Sequence, residues 1–107
     1  MEHQEIKREY RQKIVDAGNT MMALHLTVGT WGNVSIRDVE TGLIYIKPSG
    51  IPYEDIREDD IVVMNERLEV VWGHRKPSIE HHFHIAILNA RKDVNAVIHT
   101  HPIFSSA

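Results

Sequence analysis

Apolar positions in the first part of the chain recur at helical spacing: Ile6, Tyr10, Ile14, Ala17, Met21 and Leu24 fall on one side of a helix from Glu2 to about Leu26. Lys7, Arg8, Glu9, Arg11, Gln12 and Lys13 fall mostly on the other side, which suits a helix covering the domain's own sheet. Gly18 weakens the middle of that helix somewhat. Val34 to Arg37 and Leu43 to Lys47 then read as two strands joined by a turn at Asp38 to Gly42. Ile51 to Ile56 reads as a short helical turn begun around Pro52. Ile61 to Met64 gives a third strand and Arg67 to Trp72 a fourth, with Asn65-Glu66 as a two-residue connection.

A second helix starts at Pro77-Ser78, where proline disfavours helix before it and the serine hydroxyl can accept a bond from a first-turn N–H. Phe83, Ile87 and Ala90, with Ala86 beside them, form its buried stripe, and Arg91 and Lys92 suit the negative end of the helix dipole. The helix should stop near Lys92. Val94, Ala96, Val97 and Ile98 follow as a short buried strand that His99 and His101 continue. The layout is an α/β fold: a mixed, largely antiparallel central sheet flanked by helices on its faces.

Composition narrows the function. A chain of 107 residues has the length of one domain, 1–107, and can bury roughly two-thirds of its unfolded surface. With 25% charged residues, a net charge of -3 and no basic stripe studded with aromatics, nucleic acid is disfavoured as a partner. The absence of cysteine excludes disulfides, thiol catalysis and Cys-ligated zinc, so any metal must be held by His, Asp, Glu or water. MEHQEIKREY lacks the apolar core of a secretory signal, and no run reaches membrane-spanning length. The expected location is cytoplasmic, without a membrane partner.

The chemistry concentrates between Lys76 and His101. Glu80 falls in the first turn of the second helix. His99 and His101, two apart on a strand, share a face at about 6.5–7 Å between Cα atoms and can reach one metal ion. Zinc with an open position for substrate is the natural occupant of such a site. An H-x-H pair also occurs as plain packing or surface histidines, and a first-turn glutamate as a simple dipole complement. His81, His82 and His84 read as helix-surface or packing residues, although Glu80 and His84 share a helix face and could form a hydrogen-bonded pair. Three polar corners, Gly32-Asn33, Ser49-Gly50 and Ser78, lie at ends of regular structure of the kind that binds phosphate. For the first, within Thr27 to Ser35, Thr30, Asn33 and Ser35 add polar side chains, and a plain turn is the simpler reading.

The ordered pieces GTWGNVSIRD, YIKPSGIPYEDI, KPSIEHHFH and DVNAVIHTHPIFSSA resemble the N-terminal half of the class II aldolase/adducin family. The resemblance implies a class II aldolase-like fold, here truncated, and a zinc-dependent lyase cleaving a small ketose phosphate to dihydroxyacetone phosphate and an aldehyde. It implies His99, His101 and Glu80 at the metal, Glu80 as the catalytic carboxylate, and substrate contacts from Gly32, Asn33, Ser49, Gly50, Ser78 and Ile79. Ile79 stands where the aldolase pattern has the second serine of P-S-S-E, which removes one hydroxyl donor from the phosphate pocket. Related epimerases tend to carry aspartate at the Glu80 position, so the glutamate leans toward aldolase, decarboxylase or dehydratase branches; an adducin-like interaction module without catalysis is the alternative. Family members run to about twice this length. The resemblance therefore places a third histidine ligand and an acid-catalytic tyrosine outside this stretch, and a homotetramer is the assembly it implies.

Overall fold

The computed structural model describes residues 6–24 and 32–99. Its elements are α1 (Arg8–Ala23), β1 (Asn33–Arg37), β2 (Ile44–Ile46), β3 (Val62–Met64), β4 (Val70–Trp72), α2 (His81–Ala90) and β5 (Ala96–His99), with 3-10 turns at Tyr53–Asp55 and Glu58–Asp60. The five strands form one antiparallel sheet in the order β4-β3-β2-β1-β5. Between β4 and β5, α2 carries the chain from one edge of the sheet to the other.

Strand alternation divides the apolar side chains into two cores. Val34, Leu43, Tyr45, Ile61 and Val63 pack with Ile14 and Met21 of α1, whereas Ile44, Ile46, Val62, Met64 and Val97 pack with Ile85 and Leu88 of α2. The result is a three-layer α/β/α sandwich. Lys7, just before α1, ties that layer to the sheet through its ammonium on the buried Asp38 at 2.9 Å and its backbone N–H on the Tyr45 hydroxyl at 2.8 Å.

Several local expectations change. Gly18 lies on the buried side of α1 between Ile14 and Met21, and Leu24 at the helix end is exposed. The glycine makes room: a Cβ built there would stand 2.1 Å from Tyr53 Cδ1. The β3–β4 connection runs through Asn65 to Glu69 instead of two residues. The Asn65 side-chain oxygen accepts the N–H groups of Arg67 and Glu69, and Leu68 takes a left-handed φ of 70° to close the turn.

The second helix begins at His81, later than the Ser78 start expected, and ends at Ala90, short of Lys92. Its buried residues are His84, Ile85 and Leu88, so the stripe of Phe83, Ala86, Ile87 and Ala90 is displaced; Phe83 is 53% exposed. Polar pairing accounts for the rotation. His84 Nδ1 bonds the Ser35 hydroxyl at 2.7 Å inside the protein, a contact a phenylalanine could not make. The orphan carbonyls at the helix C-terminus are taken by Arg37, whose Nη1 donates to Leu88 O at 2.6 Å and whose Nη2 donates to Arg91 O at 3.3 Å, Lys92 O at 3.2 Å and Val94 O. Arg91 instead pairs with Asp93.

The strand read as buried is an edge strand among the described residues. Val97 points into the α2 core, while Ile98 on the opposite face is 59% exposed.

Candidate functional site

Antiparallel pairing sets Asn33 of β1 opposite His99 of β5. Asn33 and Ser35, two apart, both face α2. The turn before that helix brings Glu80 to them: Ser78 N–H donates to Lys47 O at 2.9 Å, the Glu80 N–H bonds Ser78 Oγ at 3.2 Å, and the His81 N–H bonds Ser78 O at 3.0 Å. Ser78 thus organises the approach to the helix rather than capping it, and Glu80 occupies the N-cap position instead of the first turn.

Glu80 is the hub. Its Oε1 accepts from Asn33 Nδ2 and lies 2.8 Å from His99 Nδ1, while Asn33 Oδ1 accepts the Ser78 hydroxyl. The Glu80 and His99 side chains keep about a third of their surface exposed, 32% and 35%, so the pair is held from within and reachable from solvent. A carboxylate and an imidazole are the oxygen and nitrogen donors that suit a divalent cation. Among the described residues they form no cluster of three or more potential ligands. His101, like Thr30, lies outside the described residues.

The three polar corners converge. Besides the Ser78–Asn33 bond, the Ser49 N–H donates to Lys76 O at 2.9 Å and Pro48 bridges to Pro77, which lays Lys47–Ser49 along Lys76–Ser78. Gly32, with a φ of 83°, turns the chain into β1 beside them. Gly50 is exposed at its corner, and the Ile79 side chain is 85% exposed next to Glu80.

Lys47 was given no role from sequence, and His84 only a packing role or a pairing with Glu80. Lys47 is buried, its ammonium 5.1 Å from the centroid of the Tyr53 ring; burial pushes its pKa down and the Glu80 charge partly restores it. A lysine between strand residues and a proline gives no outward sign of burial. His84 is fully buried, its Nε2 has no hydrogen-bond partner among the described residues, and burial pushes its pKa down to about 4, Glu80 opposing and His99 adding to the shift. In place of the Glu80–His84 pair that their spacing would also allow, His84 bonds Ser35, and Glu80 meets Asn33 and His99.

Residues 12–107 match the family described as the class II aldolase and adducin N-terminal domain, and the chain belongs to that family. Among named relatives, a 5-deoxy-D-ribulose 1-phosphate aldolase of Bacillus thuringiensis serovar kurstaki is 44% identical over 91 residues, 85% of this chain and 43% of the relative. An L-ribulose-5-phosphate 4-epimerase of Salmonella paratyphi B is 37% identical over 100 residues, 94% of this chain and 44% of the relative. A solved L-fuculose 1-phosphate aldolase superposes with a TM-score of 0.89 at 38% identity, covering 94% of this chain and 48% of that one. The chain spans less than half the length of the relatives it matches. No helix among the described residues is long and apolar enough to cross a membrane.

Proposed function

We propose that this chain carries the metal- and phosphate-binding half of a lyase that cleaves a small ketose phosphate to dihydroxyacetone phosphate and an aldehyde. The observation that carries the reading is the Glu80 carboxylate held between Asn33 and His99, beside three converged polar corners. Similarity to enzymes named as a 5-deoxy-D-ribulose 1-phosphate aldolase and an L-fuculose 1-phosphate aldolase supports the substrate class.

In this reading His99, His101 and Glu80 hold a zinc ion. When bound, zinc supplies Lewis-acid polarisation of the sugar's oxygens. Glu80 moves the proton between substrate oxygen or carbon and solvent, a role served by a carboxylate that is oriented by two partners yet partly exposed. Gly32, Asn33, Ser49, Gly50, Ser78 and the backbone at Ile79 surround the phosphate, with the buried Lys47 as countercharge. The exposed apolar side chains of Ile79, Phe83 and Ile98 suit burial in a homotetramer.

The test is cleavage of L-fuculose 1-phosphate or 5-deoxy-D-ribulose 1-phosphate by a protein carrying this chain, beside its Glu80→Gln variant. A fall in turnover of about 10²–10⁴-fold with unchanged melting supports the role. Undiminished turnover in the variant would overturn it.

A further inference from the structure

Tyr53 touches the candidate site from the other side of the sheet. Its ring belongs to the α1 core and sits where Gly18 lacks a side chain, with Cδ1 and Cε1 at 2.1 and 2.5 Å from the position a Cβ would take. That seat fixes the ring, and the ring fixes two things at the phosphate corner. The hydroxyl, buried, donates to Gly32 O at 2.9 Å, and the ring face lies 5.1 Å from the Lys47 ammonium.

The Gly32 peptide matters because it precedes Asn33. A peptide group is planar, so holding its carbonyl sets the plane from which Asn33 enters β1. Asn33 then meets Ser78 and Glu80 with its side-chain amide. Gly32 has a φ of 83°, in a region where it is freer than any other residue to turn, so a fixed acceptor for its carbonyl removes that freedom. On the second arm, the electron-rich ring face attracts the Lys47 ammonium within the range of a cation–π contact. Among its described contacts, the Tyr53 hydroxyl touches neither Glu80 nor His99.

We infer that Tyr53 is a positioning residue for the anion pocket: seated in the Gly18 notch, it holds the Gly32–Asn33 peptide and the Lys47 ammonium in the arrangement that receives a phosphate group. The inference rests on the sugar-phosphate reading above and adds to it a residue on the opposite face of the sheet. Burial raises the Tyr53 pKa, so the hydroxyl stays protonated and remains a donor across the working range of pH.

The experiment titrates inorganic phosphate, and separately Zn²⁺, into the purified chain and into Tyr53→Phe, which keeps the ring and removes the donor. Phosphate affinity is expected to fall about fivefold to tenfold, the worth of one hydrogen bond, with Zn²⁺ affinity unchanged. Phosphate affinity within twofold of the parent would overturn the inference and leave the sugar-phosphate reading standing. A parallel loss of phosphate and Zn²⁺ affinity would assign Tyr53 to general stability and also overturn it. A parent chain that binds no phosphate would sink both readings. A second measurement needs no variant: phosphate added to the parent should move the NMR signals of the Tyr53 ring together with the Gly32 and Asn33 amides. Tyr53 signals that stay still while those amides move would count against the link.

Discussion

Glu80 Oε1 stands 2.8 Å from His99 Nδ1, so the carboxylate before α2 is placed to accept a proton carried on that nitrogen of the β5 imidazole. A carboxylate acceptor at Nδ1 holds the proton there and leaves the lone pair on Nε2, the tautomer in which a histidine ligates a metal through Nε2.

Removing that acceptor should be felt at the histidine. In Glu80→Ala the His99 ring nitrogens lose their preferred tautomer in ¹⁵N NMR spectra, and Zn²⁺ affinity by calorimetry falls by more than the roughly 10- to 100-fold of losing an orienting partner, because a proposed ligand goes with it. Unchanged ring shifts would show that the contact does not order the imidazole.

His84 gives the fold an acid sensitivity. Its folded pKa, about 4, lies below the ordinary value of 6.5 because burial disfavours the charged ring. Between those values the unfolded chain binds a proton that the folded chain does not, so stability rises with pH across this window and is lost as pH falls from about 6.5 toward 4. Urea unfolding of His84→Gln at pH 4.5 and pH 7.5 should show a smaller stability difference than the parent, by a few kcal/mol at most. Equal pH slopes would mean that the ring is solvated.

Gly18→Ala should destabilise the chain by about 2–3 kcal/mol, because overpacking against Tyr53 outweighs the gain of about 1 kcal/mol in helix propensity. Its new methyl meets a ring edge wedged between α1 and the sheet. A melting temperature at or above the parent's would show that the ring has another place to go.

Leu68 offers the opposite sign. Its φ of 70° puts a branched side chain in the left-handed region, at a tip where the leucine is 40% exposed and loses little packing on removal. Leu68→Gly should raise stability by up to about 1 kcal/mol, the relief of backbone strain less the entropy of the added freedom. A drop in the urea midpoint would assign the leucine a packing role.

The existence and order of the helices and strands were legible in the sequence because apolar spacing reports burial directly. Polar burial was not. Nothing in HHFH distinguishes His84 from Phe83 as the inward residue; the choice depends on Ser35, forty-nine positions away in the chain, lying under the helix with a hydroxyl to share. Arg37 escaped for the same reason, since its acceptors belong to the end of a distant helix. The edge position of β5 depends on strand order, which a β-branched run does not encode. Convergence of the polar corners required the pairing of Lys47–Ser49 with Lys76–Ser78, again a matter of topology.

The contacts between β1 and α2 behave like a vernier. Asn33 with Glu80, Ser35 with His84 and Arg37 with Leu88 O match strand steps of two to helix steps of four. Two strand residues advance about 6.7 Å and four helical residues about 6 Å, so the two scales slip by somewhat over half an ångström per division while the helix also turns by about 40°. Side chains of different length absorb the slip: an amide against a carboxylate, then a short hydroxyl against a ring, then a full guanidinium against backbone. Glu80 sits at the first division of that scale. Loss of the Arg37 guanidinium, about 13 Å along the strand, frees the far end of α2 from that scale and is expected to loosen the setting of the carboxylate without touching it.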